Sequence, residues 1–380
     1  MKKKPTITIL IVLIMFPQFV ETIYSPALPS IVEQFDVSNK ESSQTISIYF
    51  IAFALGVVFW GILSDKIGRR KSMLSGLIIY TIGSILAILA SNFNIILIAR
   101  IISAFGAAVG SVITQTILRD IYDKKELGKV FSIVGIALSI SPVIGLITGG
   151  IAAEKYGHIG VFSILLLLAF ILSLMSFKFL PETKNDSAKK LNFKITLIEL
   201  LNDKSIWLNT FLVSAFNIML FSYYSLAPFI FEKLGCNSTQ FGYSGIILAI
   251  SSFIGSMINK KLIHNNISAD RLILIATIIA SLGSLGVLLL QQSLYFLIPM
   301  MLIIVAYGLA IPNILSQALI KYRDVTGTAG ALFGLMYYVL IGIGLAISGL
   351  VQNFGLILIT LSLLSILFAI KNKNLNHLNK

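Results

Sequence analysis

Apolar runs of about 19 or more residues recur twelve times along this chain, and a sequence so patterned has little choice of solvent other than a lipid bilayer. The runs fall near residues 6–28, 44–64, 72–90, 94–118, 130–153, 159–180, 206–230, 241–259, 272–290, 294–320, 329–351 and 354–370. Each is long enough to cross the roughly 30 Å hydrocarbon core as a helix. Of the 380 residues, 57% are hydrophobic and 12% charged, about half the charged share of a soluble domain. The sequence therefore predicts an all-α membrane protein with twelve transmembrane helices. A single cysteine, Cys236, excludes an internal disulfide. No cluster has the spacing of metal ligands, so neither a metal nor a cofactor is expected.

The formal net charge of +13 could signal nucleic acid, but its placement argues for topology instead. With the N-terminus inside, 25 of the 29 Lys and Arg residues fall on the cytoplasmic side, and only Lys40, Lys155 and Lys233 lie opposite. The positive-inside rule then puts both termini in the cytoplasm and leaves no nucleic-acid footprint. The longest polar stretch, 181–205, lies between the sixth and seventh runs. It divides the chain into a six-helix bundle at 1–180, a cytoplasmic linker, and a second six-helix bundle at 206–380. Within the linker, Leu191–Leu201 is expected to lie as an amphipathic helix on the membrane surface. Before the second run, Ser38-Asn39-Lys40-Glu41 has the form of a capping box. A short repeat supports the two halves: Gly61-x-x-x-Asp65-Lys66 recurs 194 residues later as Gly255-x-x-x-Asn259-Lys260, each after the second run of its half.

Two charged residues stand in the interior of apolar runs. Glu21, in Gln18–Ser30 of the first run, costs about 2.5 kcal/mol or more in hydrocarbon, so it is expected to face a wet cavity or a partner. Arg100 is the one basic residue in the interior of a run, and its guanidinium does not deprotonate at ordinary pH, so it needs an anion or water. With the first helix leaving the membrane near Leu28 and the fourth entering near Asn94, both charges lie about 10 Å below the outer surface. The runs as bounded above hold no His, no second carboxylate and no metal-ligand spacing, which speaks against an intramembrane enzyme.

The segment Gly61-Ile62-Leu63-Ser64-Asp65-Lys66-Ile67-Gly68-Arg69-Arg70-Lys71 resembles the signature loop between helices two and three of the major facilitator superfamily (MFS). Gly61 is expected to let helices approach closely, and Gly68 to permit a tight reversal. The resemblance implies that Asp65 faces the positive, N-terminal end of helix eleven, near Thr328. It implies as well that Arg69 and Asp120 complete a charge cluster latching the inner gate. The same fold lines one cavity with helices one and four, so Glu21 and Arg100 are expected to meet there. After Arg100 the family pattern has Gln-Gly where this chain has Ser103-Ala104. Helix five carries Gly135, Ser139, Ser141-Pro142, Gly145 and Gly149-Gly150, small residues and a proline on one face. This resembles the motif of the superfamily's proton-coupled exporters, with Ser141 in place of a glycine.

Within the superfamily, Glu21-x-x-Tyr24-x-Pro26-Ala27-Leu28-Pro29 is similar to the first-helix pattern of the Bcr/CflA-type, bicyclomycin-resistance-like drug exporters. Arg119-Asp120, Gly308-x-x-x-Pro312-Asn313 and Gly327-Thr328-Ala329-Gly330-Ala331-Leu332 point the same way. The usual acid at the first-helix position is Asp; here it is Glu21. The resemblance implies a monomeric exporter of the bacterial inner membrane that exchanges protons for a small drug-like or siderophore-like molecule, with lipid as its surroundings. Glu21 and Arg100 would couple the proton. Tyr24, Gln115, Asn217, Tyr224 and Asn313 are expected substrate contacts. Proton-coupled uptake is the alternative, and a non-transporting sensor a distant third, disfavoured by the intact loop.

Overall fold

The computed structural model describes residues 5–122, 124–184 and 193–378. All regular structure among them is helical: α1 Ile7–Tyr24, α2 Leu28–Phe35, α3 Asn39–Ile67, α4 Arg69–Ile88, α5 Phe93–Ile121, α6 Lys124–Phe179, α7 Phe193–Asn202, α8 Lys204–Lys233, α9 Ser238–His264, α10 Ala269–Leu290, α11 Leu297–Ala318, α12 Thr326–Val351 and α13 Phe354–Leu378. Eleven helical segments are long and apolar enough to span a membrane. One of them, Ile133–Phe179, runs for 47 residues, about 70 Å and twice what a bilayer core needs. It breaks at Gly157, whose φ of 58° and ψ of −151° lie outside helical space. The fifth and sixth apolar runs are the two arms of this element.

Two expectations about helix ends need correction. The first span does not stop near Leu28. A 3₁₀ turn at Ser25–Ala27, with Pro26 in its first positions, hands the chain on to α2, so the apolar segment continues to Phe35. Proline at the start of a helical turn has no N–H to lose there, so Pro26 and Pro29 bend the path without ending it. Counting residues back from Leu28 therefore does not measure how deep Glu21 lies. The second correction concerns α6, in which helix extends on both sides of Gly157, so Glu154 and His158, outside the apolar runs, do sit on a helix. Glu154 is exposed and accepts the Ser238 N–H at 3.0 Å.

The chain forms two compact units. The first comprises residues 1–190 with Ser238–Tyr243, the second 191–237 with 244–380. Of the polar stretch 181–205, residues 185–192 lie outside the described residues, and α7 begins just after them.

In the first unit α5 is the hub, because small residues let three neighbours reach its backbone. A Cβ on Gly110 would sit 2.6 Å from the Leu13 carbonyl and 2.9 Å from the Pro17 ring of α1. Pro17 has no N–H to offer that carbonyl, so α1 is loosened where α5 meets it. On the α3 side, Gly56 would meet the Phe105 carbonyl at 2.8 Å, and that same carbonyl accepts the Trp60 indole N–H at 2.7 Å. Gly106 packs equally close to the backbone of α4 at Tyr80. The start of α3 carries the capping box: Ser38 Oγ accepts from Glu41 N, and the Glu41 carboxylate accepts from Ser38 N at 2.8 Å.

In the second unit α8 packs against α11, α12 and α13, tied by Ser222–Ser348 at 2.7 Å and by Asn372 Nδ2 donating to Asn209 Oδ1 at 3.2 Å. The sequence repeat has a structural counterpart here. Asn259, the repeat partner of Asp65, accepts a hydrogen bond from Asn313 at 2.7 Å, and Gly255 approaches Val305 and Gly308 of α11 backbone to backbone.

Candidate functional site

The hub helix carries Arg100 on its buried face, 1% exposed. Its guanidinium carbon lies 3.9 Å from the ring centroid of Tyr24, on α1, and 4.2 Å from that of Tyr49, on α3. A planar, weakly hydrated cation between two aromatic faces is a favourable arrangement, by about 0.5–2 kcal/mol per ring. Both rings are fully buried. The Tyr24 hydroxyl donates to Thr45 Oγ1 at 2.9 Å, fixing that ring. Among the described residues, Arg100 Nε and Nη1 and the Tyr49 hydroxyl have no hydrogen-bond partner.

Glu21 sits one helical turn from Pro17 and is half-buried. Its carboxylate lies within electrostatic range of Arg100, and Tyr49 is within range of both. The two charges do not form a direct ion pair; the ion pairs among the described residues are Arg69–Asp65, Arg69–Asp120 and Lys321–Asp203. Close packing holds Glu21 in place. A Cβ on Gly145 would overlap Thr22 Oγ1, and one on Gly149 would overlap the Ile23 carbonyl. The first arm of α6 therefore presses on the two residues after Glu21. Pro142 opens that stretch, and Ser141 Oγ donates to the Met15 carbonyl at 3.2 Å. Gly135 and Ser139 do not share this packed face: both are exposed, and a Cβ on Gly135 would meet nothing within 4 Å.

A second cluster occupies the other end of the unit. Gly68 separates α3 from α4 with φ +102°, a conformation that L side chains rarely adopt. Arg69, directly after this break, donates from Nη1 to Asp65 Oδ1 one turn before it, at 2.6 Å, and from Nε to Asp120 Oδ2 of α5 at 3.1 Å. Arg69 is buried while the Asp65 side chain is 71% exposed. Thr183 Oγ1 donates to the same Asp120 oxygen at 3.2 Å. Gly61 departs from expectation: a Cβ there would lie 3.6 Å from Val112, an ordinary contact, so within this unit the close approach is made by Gly56 instead.

The residue that sequence reasoning missed is Glu182. Its carboxylate accepts the Arg69 N–H at 2.8 Å and the Arg70 N–H at 3.2 Å, capping the first turn of α4, which has no side-chain cap of its own. It sits so close to Gly68 that a Cβ there would overlap it. Burial alone pushes this carboxyl up. Hydrogen bonds from the backbone of Lys184, Arg69, Arg70 and Thr183 outweigh burial and hold it below its ordinary value. The signal available in the sequence was an uncapped helix start after Gly68 and an acid just past the end of the sixth run.

The other expected contacts are divided between the two units. Gln115 lies on α5, four turns or about 22 Å along the helix from Arg100, and donates to Ser111 Oγ at 3.4 Å. Asn217, Tyr224 and Asn313 belong to the second unit. Asn217 Oδ1 accepts from Tyr307 at 3.1 Å, and Tyr224 is buried against Phe221 and Tyr223. Asn313 is also buried, its amide donating to Asn259 and to the Leu309 carbonyl, so it pins two helices and has no donor left for a substrate. Among the described residues no group of His, Cys, Asp and Glu could hold a metal ion.

The family model described as Major Facilitator Superfamily matches residues 10–345. The chain belongs to that superfamily. An uncharacterized transporter of Rickettsia bellii is 35% identical over 91% of each chain. A bicyclomycin resistance protein homolog of Haemophilus influenzae is 24% identical over 85% of this chain and 83% of its own. The crystal structure of a D-xylose–proton symporter superposes with a TM-score of 0.78 over 96% of each chain, at 13% identity, which speaks for the fold. This MFS protein is thus a multi-pass membrane transporter resembling the Bcr/CflA type, and not an enzyme.

Proposed function

We propose that this MFS protein is a proton-coupled secondary transporter that exports small organic compounds across the bacterial inner membrane by alternating access. It would work as a monomer of two six-helix halves, with twelve passes once the two arms of α6 are counted separately and both termini in the cytoplasm. Similarity to a bicyclomycin resistance protein homolog favours drug-like substrates. One observation carries the coupling scheme: Glu21 faces a buried arginine at electrostatic range without closing an ion pair, while two tyrosine rings hold that arginine still. A carboxylate so placed can change its protonation without dismantling its surroundings. Substrate arriving from the cytoplasm displaces the proton, and Glu21 is reprotonated from outside. Asp65, Arg69 and Asp120 form the inner gate cluster, and Pro142, Gly145 and Gly149 let the first arm of α6 move against α1.

Glu21→Gln tests the scheme. The variant is expected in the membrane at normal abundance, with its uphill, proton-driven transport abolished; transport against a gradient at the normal rate would rule out this role for Glu21.

The free Nε and Nη1 donors of Arg100 favour a second reading. An anionic substrate bound there would compete with Glu21 for the cation and favour protonation of Glu21, so proton and substrate would travel together, inward. Flux into inverted and right-side-out vesicles under an imposed pH gradient separates the two.

A further inference from the structure

At the end of the second unit where α8 begins and α13 closes lies a pocket of about 520 Å³ that the transport scheme does not use. Lys204 and Lys371 stand in its lining beside Trp207, Phe368 and Leu375. We propose that this pocket is a binding site for an anionic phospholipid, its phosphate held by the two lysines and its acyl chains lying along α13.

Four observations carry the assignment. Both lysines are exposed and, among the described residues, neither has an ion pair or hydrogen bond. Asp203, the acid adjoining Lys204, is engaged elsewhere: it caps α8 through the Ser205 N–H and takes contacts from Lys321 and Tyr322. The pocket thus presents uncompensated positive charge. The aromatic walls are fixed, since the Trp207 indole N–H donates to the Leu201 carbonyl at 2.8 Å and Phe368 stacks on Phe211 at 3.8 Å. An amphipathic indole beside lysines is the composition of a membrane interface. Finally, α13 exposes Leu363, Leu364 and Leu367 in the turns before Phe368. A soluble anion would leave this apolar ridge unused, whereas a lipid with its headgroup at Lys371 lays its chains along it.

The test is native mass spectrometry of the full chain, offered equimolar phosphatidylglycerol and chain-matched phosphatidylcholine. Each lysine–headgroup contact is expected to favour the anionic lipid by roughly 5-fold. Retention of phosphatidylglycerol should fall to parity in K204Q/K371Q, fall part-way in each single variant, and persist in K260Q/K261Q, which removes two exposed lysines of α9. Inorganic phosphate should leave the bound lipid in place. Equal retention of the two lipids by the unmodified protein would overturn the proposal without any variant having to fold. So would a preference that survives in K204Q/K371Q, an equal loss in K260Q/K261Q, or displacement by phosphate.

Discussion

The tyrosines around Arg100 give a contrast that a single atom decides. Tyr24 donates its hydroxyl to Thr45, whereas the Tyr49 hydroxyl is buried without a partner. Tyr24→Phe should therefore cost about 1 kcal/mol of stability, and Tyr49→Phe nothing measurable, because its ring still faces the guanidinium. Thermal unfolding in detergent reads both. If Tyr49→Phe alone slows transport, its hydroxyl meets the substrate or the proton. Glu182 yields a pH dependence whose sign follows from its environment. A carboxyl held below its ordinary value stabilises the fold above the unfolded-state value, and that contribution disappears as pH falls through the folded-state value. Glu182→Gln should thus destabilise by about 1 kcal/mol near neutral pH, the scale of a helix cap, and converge with the unmodified protein once the pH has fallen below the folded-state value. Parallel curves across that range would mean that the charge is not what matters at this position.

At the scale of helices, residue spacing shows which faces are packed only when the neighbour is known. Gly135 and Gly149 look alike in the sequence of α6, yet one opens on empty space and the other abuts the Ile23 carbonyl. Gly135→Ala should raise stability by about 0.5–1 kcal/mol, as an exposed helical glycine does when it gains a side chain. Gly149→Ala should lower it, since α1 and α6 must part to admit the methyl group; unfolding temperatures that move in the same direction would refute the packing. Much of the helical pattern was legible for a reason of scale: nineteen apolar residues leave little ambiguity, and a capping box or a glycine reversal is local chemistry. What escaped the sequence depends on contacts distant along the chain. Glu182 reaches Arg69 across more than a hundred residues, and nothing local says that Asn313 engages Asn259, 54 residues before it. The first helical path runs past Leu28 because proline at the start of a turn lets the helix proceed.

For the molecule as a carrier, the number of acids bounds the work it can do. Among the described spanning helices, Glu21 is the carboxylate away from an end; Glu33, Glu41, Asp65, Asp120, Glu154, Glu232 and Asp270 sit near helix ends or at the Gly157 break. On the proposed scheme, with Glu21 as the one coupling acid, a cycle moves one proton. A pH difference of one unit then supplies about 1.4 kcal/mol, which holds a neutral substrate at no more than about 10-fold accumulation when the membrane potential is collapsed. Inverted vesicles, acid inside, should approach that ceiling for an exported neutral compound, and vesicles carrying Glu21→Gln should stop at equality. Accumulation near 100-fold under the same gradient would require a second proton site, which would have to come from a group other than the carboxylates named here. Depletion from the lumen under the same gradient would mean that proton and substrate move in the same direction, and would favour uptake over export.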